Sequence, residues 1–260
     1  MKSLRTLAKK SPFVKLLGIG KRYLATNGYW QAFPSDASGA AVPWFTYPAI
    51  QFLKGVMQAS WNVFEYGSGS STVFWNASCA RTVSVEHDEL WFRRLKERYP
   101  GFEIRWVPEG FDAGRRLTAN LVSSFEAKAF DLVTSERREH DIEHGLLNRG
   151  FANYAAQITE FPKGAFDVIV VDGMARCLCL FAAAEWVADG GLIILDNSDR
   201  WQYNALQEYL MRARGFKRID FQGLGPLNIY GWTTSIFFRN DAFLEWAEPR
   251  RQRGSGDLGW

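Results

Sequence analysis

Two glycines separated by one serine stand where a strand pattern gives way to a helix pattern. The segment Gly67-Ser68-Gly69 follows the β-rich run Trp61–Glu65 and precedes a helical pattern that begins near Ser71. Glycine lets the backbone approach a ligand closely, and the first turn of a helix offers free N–H groups. Thr72 replaces the third glycine of the dinucleotide fingerprint, so the turn favours a ligand other than a pyrophosphate.

Two carboxylates accompany this turn. Glu65 precedes it directly, and Glu86 ends the next β-rich run, Thr82–Glu86. A carboxylate at the end of the second strand can accept hydrogen bonds from both ribose hydroxyls of a nucleoside, whereas an isolated glutamate there would be an ordinary surface residue. The predicted cofactor-binding residues are Glu65, Gly67, Ser68, Gly69, Ser71, Glu86, His87 and Asp172.

A second group of polar residues follows two later strands. Asp172 comes after Phe166–Val171, while Asp196 and Asn197 come after Leu192–Leu195. Neighbouring parallel strands end at one edge of a sheet, so these side chains are expected to share a crevice. Two carboxylates and an amide oxygen suit Mg²⁺ or Ca²⁺, which predicts a metal site; alternatively Asp172 positions cofactor or substrate. Asp172 and Asp196 are also the candidate catalytic bases.

Short β-rich runs alternate with longer helical stretches from residue 61 onward. Strand–helix–strand units imply crossovers and a mostly parallel sheet. The last two runs, Lys217–Phe221 and Thr233–Arg239, are joined by a glycine-rich loop and predict an antiparallel strand near the C-terminal end. We therefore expect an α/β fold: a Rossmann-like, doubly wound sheet of about seven strands. Further helices are predicted near residues 46–57, 71–79, 88–99, 149–160 and 175–188.

The stretch Val63–Asp88 resembles the first two motifs of class I S-adenosylmethionine-dependent methyltransferases. Phe166–Gly173 and Gly190–Asn197 are similar to the family's fourth- and fifth-strand motifs, and the likeness spans roughly residues 44–239. The segment Pro43–Ile50 also resembles the lead-in of a group of uncharacterised methyltransferases. In this family the first acid, matching Glu65, lies near the methionine amino group of the cofactor, and the second-strand acid holds its ribose. The resemblance thus implies S-adenosylmethionine as cofactor.

The trio Asp172, Asp196 and Asn197 also resembles that of catechol-type O-methyltransferases, in which such residues hold a divalent ion such as Mg²⁺. The chain departs from that pattern in one place. The lysine expected shortly after the fourth-strand aspartate is missing, and Arg176 is the first basic residue to follow. Arginine stays protonated and is a poor general base.

Three regions are predicted along the chain. Residues 1–43 form a basic leader and lead-in loop, residues 44–240 form the cofactor-binding domain, and residues 241–260 form a tail. Residues 108–148 break the strand–helix alternation and are expected to be an insertion or lid. Its run Ser135–His144 carries charges of both signs, which favours a solvated helix over a metal role for His140 and His144.

Charge and cysteine content indicate which binding partners and which cellular environment the sequence favours. Residues 1–24 carry seven Lys or Arg and no acid, while the rest of the chain has a small excess of acids. Nucleic acid is therefore disfavoured as a substrate, and the basic leader favours a solvated segment over weak contact with an anionic membrane surface. Three cysteines cannot all pair, which favours a reducing, cytoplasmic environment.

Three functions agree with these residues. The leading one is methyl transfer to an oxygen or nitrogen of a small-molecule or glycan-like acceptor. A nucleotide-dependent oxidoreductase is the second, although the missing third glycine disfavours it. A non-catalytic cofactor-binding protein is the third, because no side chain stands out as a strong base.

Overall fold

The computed structural model describes residues 33–36, 39–132 and 148–244. Predictions for the basic leader, for the charged run with His140 and His144, and for most of the C-terminal tail lie outside these residues. No described helix is long and apolar enough to cross a bilayer. The three cysteines, Cys79, Cys177 and Cys179, are free thiols.

Seven strands form one sheet in the order β3-β2-β1-β4-β5-β7-β6. Strands β1 to β5 pair in parallel, and β7 pairs antiparallel with both β5 and β6. The predicted fold class is confirmed, and the antiparallel strand is β7. The strands are β1 (Asn62–Tyr66), β2 (Arg81–Glu86), β3 (Glu103–Trp106), β4 (Phe166–Val171), β5 (Val187–Asp196), β6 (Lys217–Gly223) and β7 (Trp232–Phe238).

One face of the sheet is covered by helices from the first part of the chain. These are α1 (Tyr47–Val56), α2 (Ser70–Asn76) and α3 (Glu89–Arg98). Pro48 lies in the first turn of α1. Thr46, which precedes the helix, does not cap it through its side chain, because its Oγ1 donates to the Phe221 carbonyl. Asp88 does cap α3, since its carboxylate accepts the Trp91 N–H.

The opposite face carries α4 (Arg116–Leu132), α5 (Ala152–Ala155), α6 (Arg176–Trp186) and α7 (Asn204–Ala213). Neither α4 nor α7 was predicted. Phe125 of α4 is buried in the core of this face, so the described part of the 108–148 segment contributes to packing. The predicted helix 149–160 is three short pieces, with 3₁₀ turns on both sides of α5. Thr159 Oγ1 donates to the Ala156 carbonyl three residues back, a contact that fits a 3₁₀ turn.

The order in which the strands are added to the sheet reverses between β1 and β4, and this position is the topological switch point. The chain runs outward from β1 through β2 to β3, and then crosses back to pair β4 against the other edge of β1. Open α/β sheets bind ligands outside the carboxyl ends of the strands at such a switch point. The residues that follow β1 and β4 are therefore the place to look for a site.

Candidate functional site

The glycine turn after β1 packs directly against the residues that follow β4. Gly67 has φ +95°, and a Cβ there would lie 2.9 Å from the Gly173 Cα, so both the conformation and the space require glycine. Gly69 is different: its backbone is extended, and a Cβ would meet no atom within 4 Å. Gly67 therefore allows the two loops to pack closely, whereas Gly69 leaves space on the outer side of the turn.

Glu65 lies beneath this turn and is fully buried. Its Oε2 accepts hydrogen bonds from Thr72 Oγ1 at 2.5 Å and Ser84 Oγ at 3.1 Å. Its Oε1 is buried without a hydrogen-bond partner among the described residues, although the Ser71 side chain lies close enough to Glu65 to help lower its pKa. Burial raises the pKa of Glu65 to about 7, the neighbouring hydroxyls lower it, and Glu86 raises it. The site therefore holds a carboxyl group that lacks a positive partner.

Glu86, at the end of β2, is held by backbone N–H groups. Its Oε2 accepts from Ser68 at 3.0 Å, and its Oε1 accepts from His87 at 2.8 Å and Asp88 at 2.9 Å. A carboxylate oxygen has two lone pairs, so Oε2 keeps one for a ligand hydroxyl. This geometry ties the glycine turn to the end of β2 through the Ser68 N–H.

An aromatic group lies beside Glu86. The His87 ring, 35% exposed as a side chain, places Nδ1 3.0 Å from Glu86 Oε1 and packs edge-on against Phe151 and Tyr154. Tyr154 is fully buried and reaches Gly173 from α5. The sequence prediction missed Tyr154, because nothing in the pattern of residues 149–160 marks which side chain faces the crevice.

Arg176, at the start of α6, organises the polar residues after β4 and β5. Its guanidinium donates to Asp172 Oδ1 at 2.9 Å, to Asn197 Oδ1 at 3.0 Å and to the Asp196 carbonyl at 2.5 Å. Ala175 precedes it in the left-handed region at φ 46°, a costly conformation for a residue with a Cβ. This turn directs the arginine back across the strand ends, so the residue that replaces the expected lysine is a structural cation.

The Asp196 carboxylate is bound by side chains of β7. Its Oδ1 accepts from Thr234 Oγ1 at 2.5 Å and from Trp232 Nε1 at 2.9 Å. Burial and the nearby Asp172 raise the pKa of Asp196 to about 8. Burial also raises the pKa of Asp172 to about 6, while the Arg176 guanidinium lowers it. The side chain of Asp172 is 19% exposed, so it is the more accessible of the two predicted bases.

The predicted trio does not fit a divalent ion. The amide oxygen of Asn197 and one oxygen of Asp172 both face a guanidinium, and the oxygens of Asp196 face hydrogen-bond donors. A metal needs oxygen ligands that converge on one point, without a cation already between them. The described residues also contain no cluster of three or more His, Cys, Asp or Glu side chains that could hold a metal.

Polar and aromatic residues extend the site beyond β5. Arg200 lies close enough to Asp172 to lower its pKa, and Tyr203 lies close to Arg176. Trp201, on the 3₁₀ turn Trp201–Tyr203, is 59% exposed. The structure thus brings the predicted residues to one edge of the sheet, as two groups with different charge. The group after β1 and β2 contains Glu65, Gly67, Ser68, Gly69, Ser71, Glu86 and His87, and the group after β4 and β5 contains Asp172, Asp196 and Asn197.

No protein-family model matches the chain, and no curated protein matches it by sequence. Among solved structures, it is similar to a methyltransferase-like protein from Silicibacter pomeroyi, with 19% identity, coverage of 73% of this chain and 84% of that one, and a TM-score of 0.39. A methyltransferase from Pyrococcus furiosus gives 17% identity, coverage of 86% and 99%, and a TM-score of 0.44.

A third structure is the Burkholderia thailandensis 1,6-didemethyltoxoflavin-N1-methyltransferase with bound S-adenosylhomocysteine. It gives 13% identity, coverage of 93% of this chain and 92% of that one, and a TM-score of 0.42. At these identities and TM-scores the comparisons assign no function to the chain. The sheet itself, with its switch point between β1 and β4 and with β7 as the antiparallel strand among the described residues, is a Rossmann-like doubly wound sheet.

Proposed function

We propose that this chain is an S-adenosylmethionine-dependent methyltransferase. The observation that carries the proposal is the buried carboxyl oxygen Oε1 of Glu65, which has no hydrogen-bond partner among the described residues and lies beneath a glycine turn at the sheet's switch point. A buried carboxylate without a cation is costly, and a positively charged ligand group offsets that cost. The cofactor carries both an ammonium and a sulfonium.

The residues present fit this cofactor. Glu65 would accept from the ammonium group, and Glu86 Oε2 would accept from one ribose hydroxyl. Gly69 leaves room for the ligand next to the turn, because a Cβ at this position would meet no protein atom within 4 Å. Ser68, on the turn, and Ser71, in the first turn of α2, are both largely buried beside this site.

Methyl transfer depends mainly on the positioning of the two reactants and on a proton acceptor. When bound, the cofactor supplies a methyl group on an activated sulfonium. Asp172, with its accessible oxygen and a pKa raised to about 6, is ionised at neutral pH and basic enough to take a proton from an acceptor hydroxyl or amine. Arg176 holds that carboxylate in place, so Asp172 is the proposed base and Asp196 is a positioning residue.

The proposed acceptor is an oxygen or nitrogen of a small molecule or glycan-like substrate. The exposed ring of Trp201, next to Arg200 in the chain, offers a flat apolar surface. Arg200 near Asp172 and Tyr203 near Arg176 offer polar groups. A sugar or an aromatic ring combines a flat apolar face with hydroxyl groups and would use both features.

Calorimetry with S-adenosylhomocysteine tests the proposal. Wild-type protein should bind it, and Gly69→Val should lose at least about tenfold in affinity while remaining folded, since the added side chain fills only the ligand's space. NADH serves as the competing ligand. Binding of NADH in place of S-adenosylhomocysteine would replace the methyltransferase assignment with an oxidoreductase.

A further inference from the structure

Tyr154 carries a buried hydroxyl that the protein does not satisfy. Its side chain is fully buried on α5, with its ring 5.6 Å from the ring of Tyr66. Within the described part of the chain its OH has no hydrogen-bond partner. Burying a hydroxyl without a partner costs free energy, and phenylalanine would fill the same space without that cost.

The neighbouring Tyr66 shows that the same core can satisfy a phenol. Tyr66 is also fully buried, and its OH donates to the Ala155 carbonyl at 2.7 Å. Two tyrosines in ring contact therefore differ in one respect: one hydroxyl is bonded within the protein, and the other is left without an acceptor. The unsatisfied hydroxyl is the one that points toward the strand ends.

The position of the Tyr154 hydroxyl is fixed by the two loops of the switch point. It lies so close to the Gly173 Cα that any side chain at residue 173 would collide with it. Gly173 in turn touches Gly67, and Glu65 and Glu86 both lie close enough to act on the phenol electrostatically. The hydroxyl therefore lies where the loops after β1 and β4 meet, at the same end of the sheet as Glu65 and Glu86, which is the region assigned above to the cofactor.

The two unpartnered groups have opposite hydrogen-bonding character. Burial raises the pKa of Tyr154 well above its usual value, so the phenol stays protonated and acts as a donor. Glu65 Oε1 is an acceptor. A ligand that satisfies both must offer one donor and one acceptor within a short span, and an α-amino acid group offers an ammonium and a carboxylate on one carbon.

We propose that Tyr154 is a further cofactor-binding residue, an inference that rests on the proposed function. Its hydroxyl donates to the carboxylate at the amino-acid end of the ligand, while Glu65 accepts from the ammonium group. The pair would select ligands with a free amino-acid group over nucleosides that lack one. Tyr154 would thus contribute specificity as well as affinity.

A double-mutant cycle between protein and ligand tests the contact. Calorimetry compares wild type and Tyr154→Phe, each with S-adenosylhomocysteine and with the analogue that keeps the ammonium but lacks the carboxylate. Wild type should bind the analogue more weakly, and Tyr154→Phe should lose about five- to twentyfold for S-adenosylhomocysteine and nothing for the analogue. Tyr66→Phe is the matched control that removes one hydroxyl from the same core.

Stability separates a ligand contact from a structural one. Tyr154→Phe should melt at or above the wild-type temperature, because it removes an unsatisfied hydroxyl, whereas Tyr66→Phe should melt lower. Equal affinity losses for both ligands, or none for either, would overturn the proposal, as would a Tyr154→Phe protein destabilised like Tyr66→Phe. If wild type binds no S-adenosylhomocysteine at all, the proposed function itself fails.

Discussion

Glu65 should make the protein less stable as the pH rises, and Glu65→Gln should remove that effect. The pKa of Glu65 is raised from 4.5 to about 7, mainly by burial. The folded protein therefore keeps a proton between these values that the unfolded chain has released. Stability falls with rising pH wherever the folded state binds more protons, so the loss begins near pH 4.5 and is complete above about pH 7. The difference amounts to about 3 kcal/mol.

Denaturant unfolding of wild type and Glu65→Gln between pH 5 and pH 8 measures this effect. Glutamine keeps the shape and an acceptor oxygen for Thr72, so the variant should gain on wild type by about 1–3 kcal/mol across the range. Asp196 also has a raised pKa, but it contributes equally to both proteins and cancels in the difference. The charge of Glu65 helps to raise the pKa of Asp172, so its removal in Glu65→Gln lowers that pKa and adds to the difference in the same direction. Glu103→Gln, at a half-exposed residue paired with Arg81 on β2, controls for the loss of one surface carboxylate.

Measuring ligand affinity over the same pH range links the protonation of Glu65 to binding. A bound ammonium group beside Glu65 would favour its ionised form, so wild type should bind S-adenosylhomocysteine more tightly at pH 8 than at pH 5. Glu65→Gln should bind more weakly and with little dependence on pH. A constant stability difference between wild type and Glu65→Gln over the whole range would refute the reasoning, because it would mean that Glu65 is already ionised in the folded protein.

Three further predictions concern the loops and the cation at the strand ends. Gly67→Ala should lower the free energy of unfolding by about 1–3 kcal/mol, because φ is +95° and the new Cβ meets Gly173. Gly69→Ala should change the free energy of unfolding by less than about 1 kcal/mol. Equal losses for the two variants in denaturant unfolding would contradict the assigned geometry. Arg176→Met should destabilise by about 3–5 kcal/mol at pH 8 and by less at pH 5, where Asp172 takes up a proton; a pH-independent loss would show that the carboxylate is not its main partner. Methyl-transfer turnover should be the same in chelator and in Mg²⁺, and loss of turnover in chelator that Mg²⁺ restores would reinstate the metal site.

The sequence predicts the sheet well because its signals are local. Each parallel strand falls on a short β-rich run of the sequence, and the glycine turn identifies β1. The candidate residues after β1, β2, β4 and β5 follow from that register, because parallel strands end at one edge. The helix α4 escaped prediction because its core-facing residues Leu121, Val122 and Phe125 lie within a segment whose charged part dominated the pattern.

The details that decide the chemistry depend on contacts between distant segments. Asp196 pairs in register with Thr234, which is 38 residues away, and that neighbour supplies a donor to its carboxylate. Arg176 faces the strand ends only because Ala175 adopts a left-handed conformation, which a pattern of residue types does not reveal. The prediction of a metal trio therefore had the right residues at the right edge but not the directions of their side chains.

The two ends of the crevice differ in charge, and this difference would orient the ligands of the proposed reaction. Around Glu65 there are two buried carboxyl groups, and the groups that bond to them are hydroxyls and backbone amides, so this end attracts a cation. Around Asp172 the carboxylate charge is balanced by the Arg176 guanidinium, so this end does not require a charged acceptor. A ligand with a positively charged amino-acid end would place that end at β1 and its reactive group toward β4. The same arginine that excludes a metal ion thus keeps the proposed base ionised and leaves the acceptor side free for an uncharged substrate.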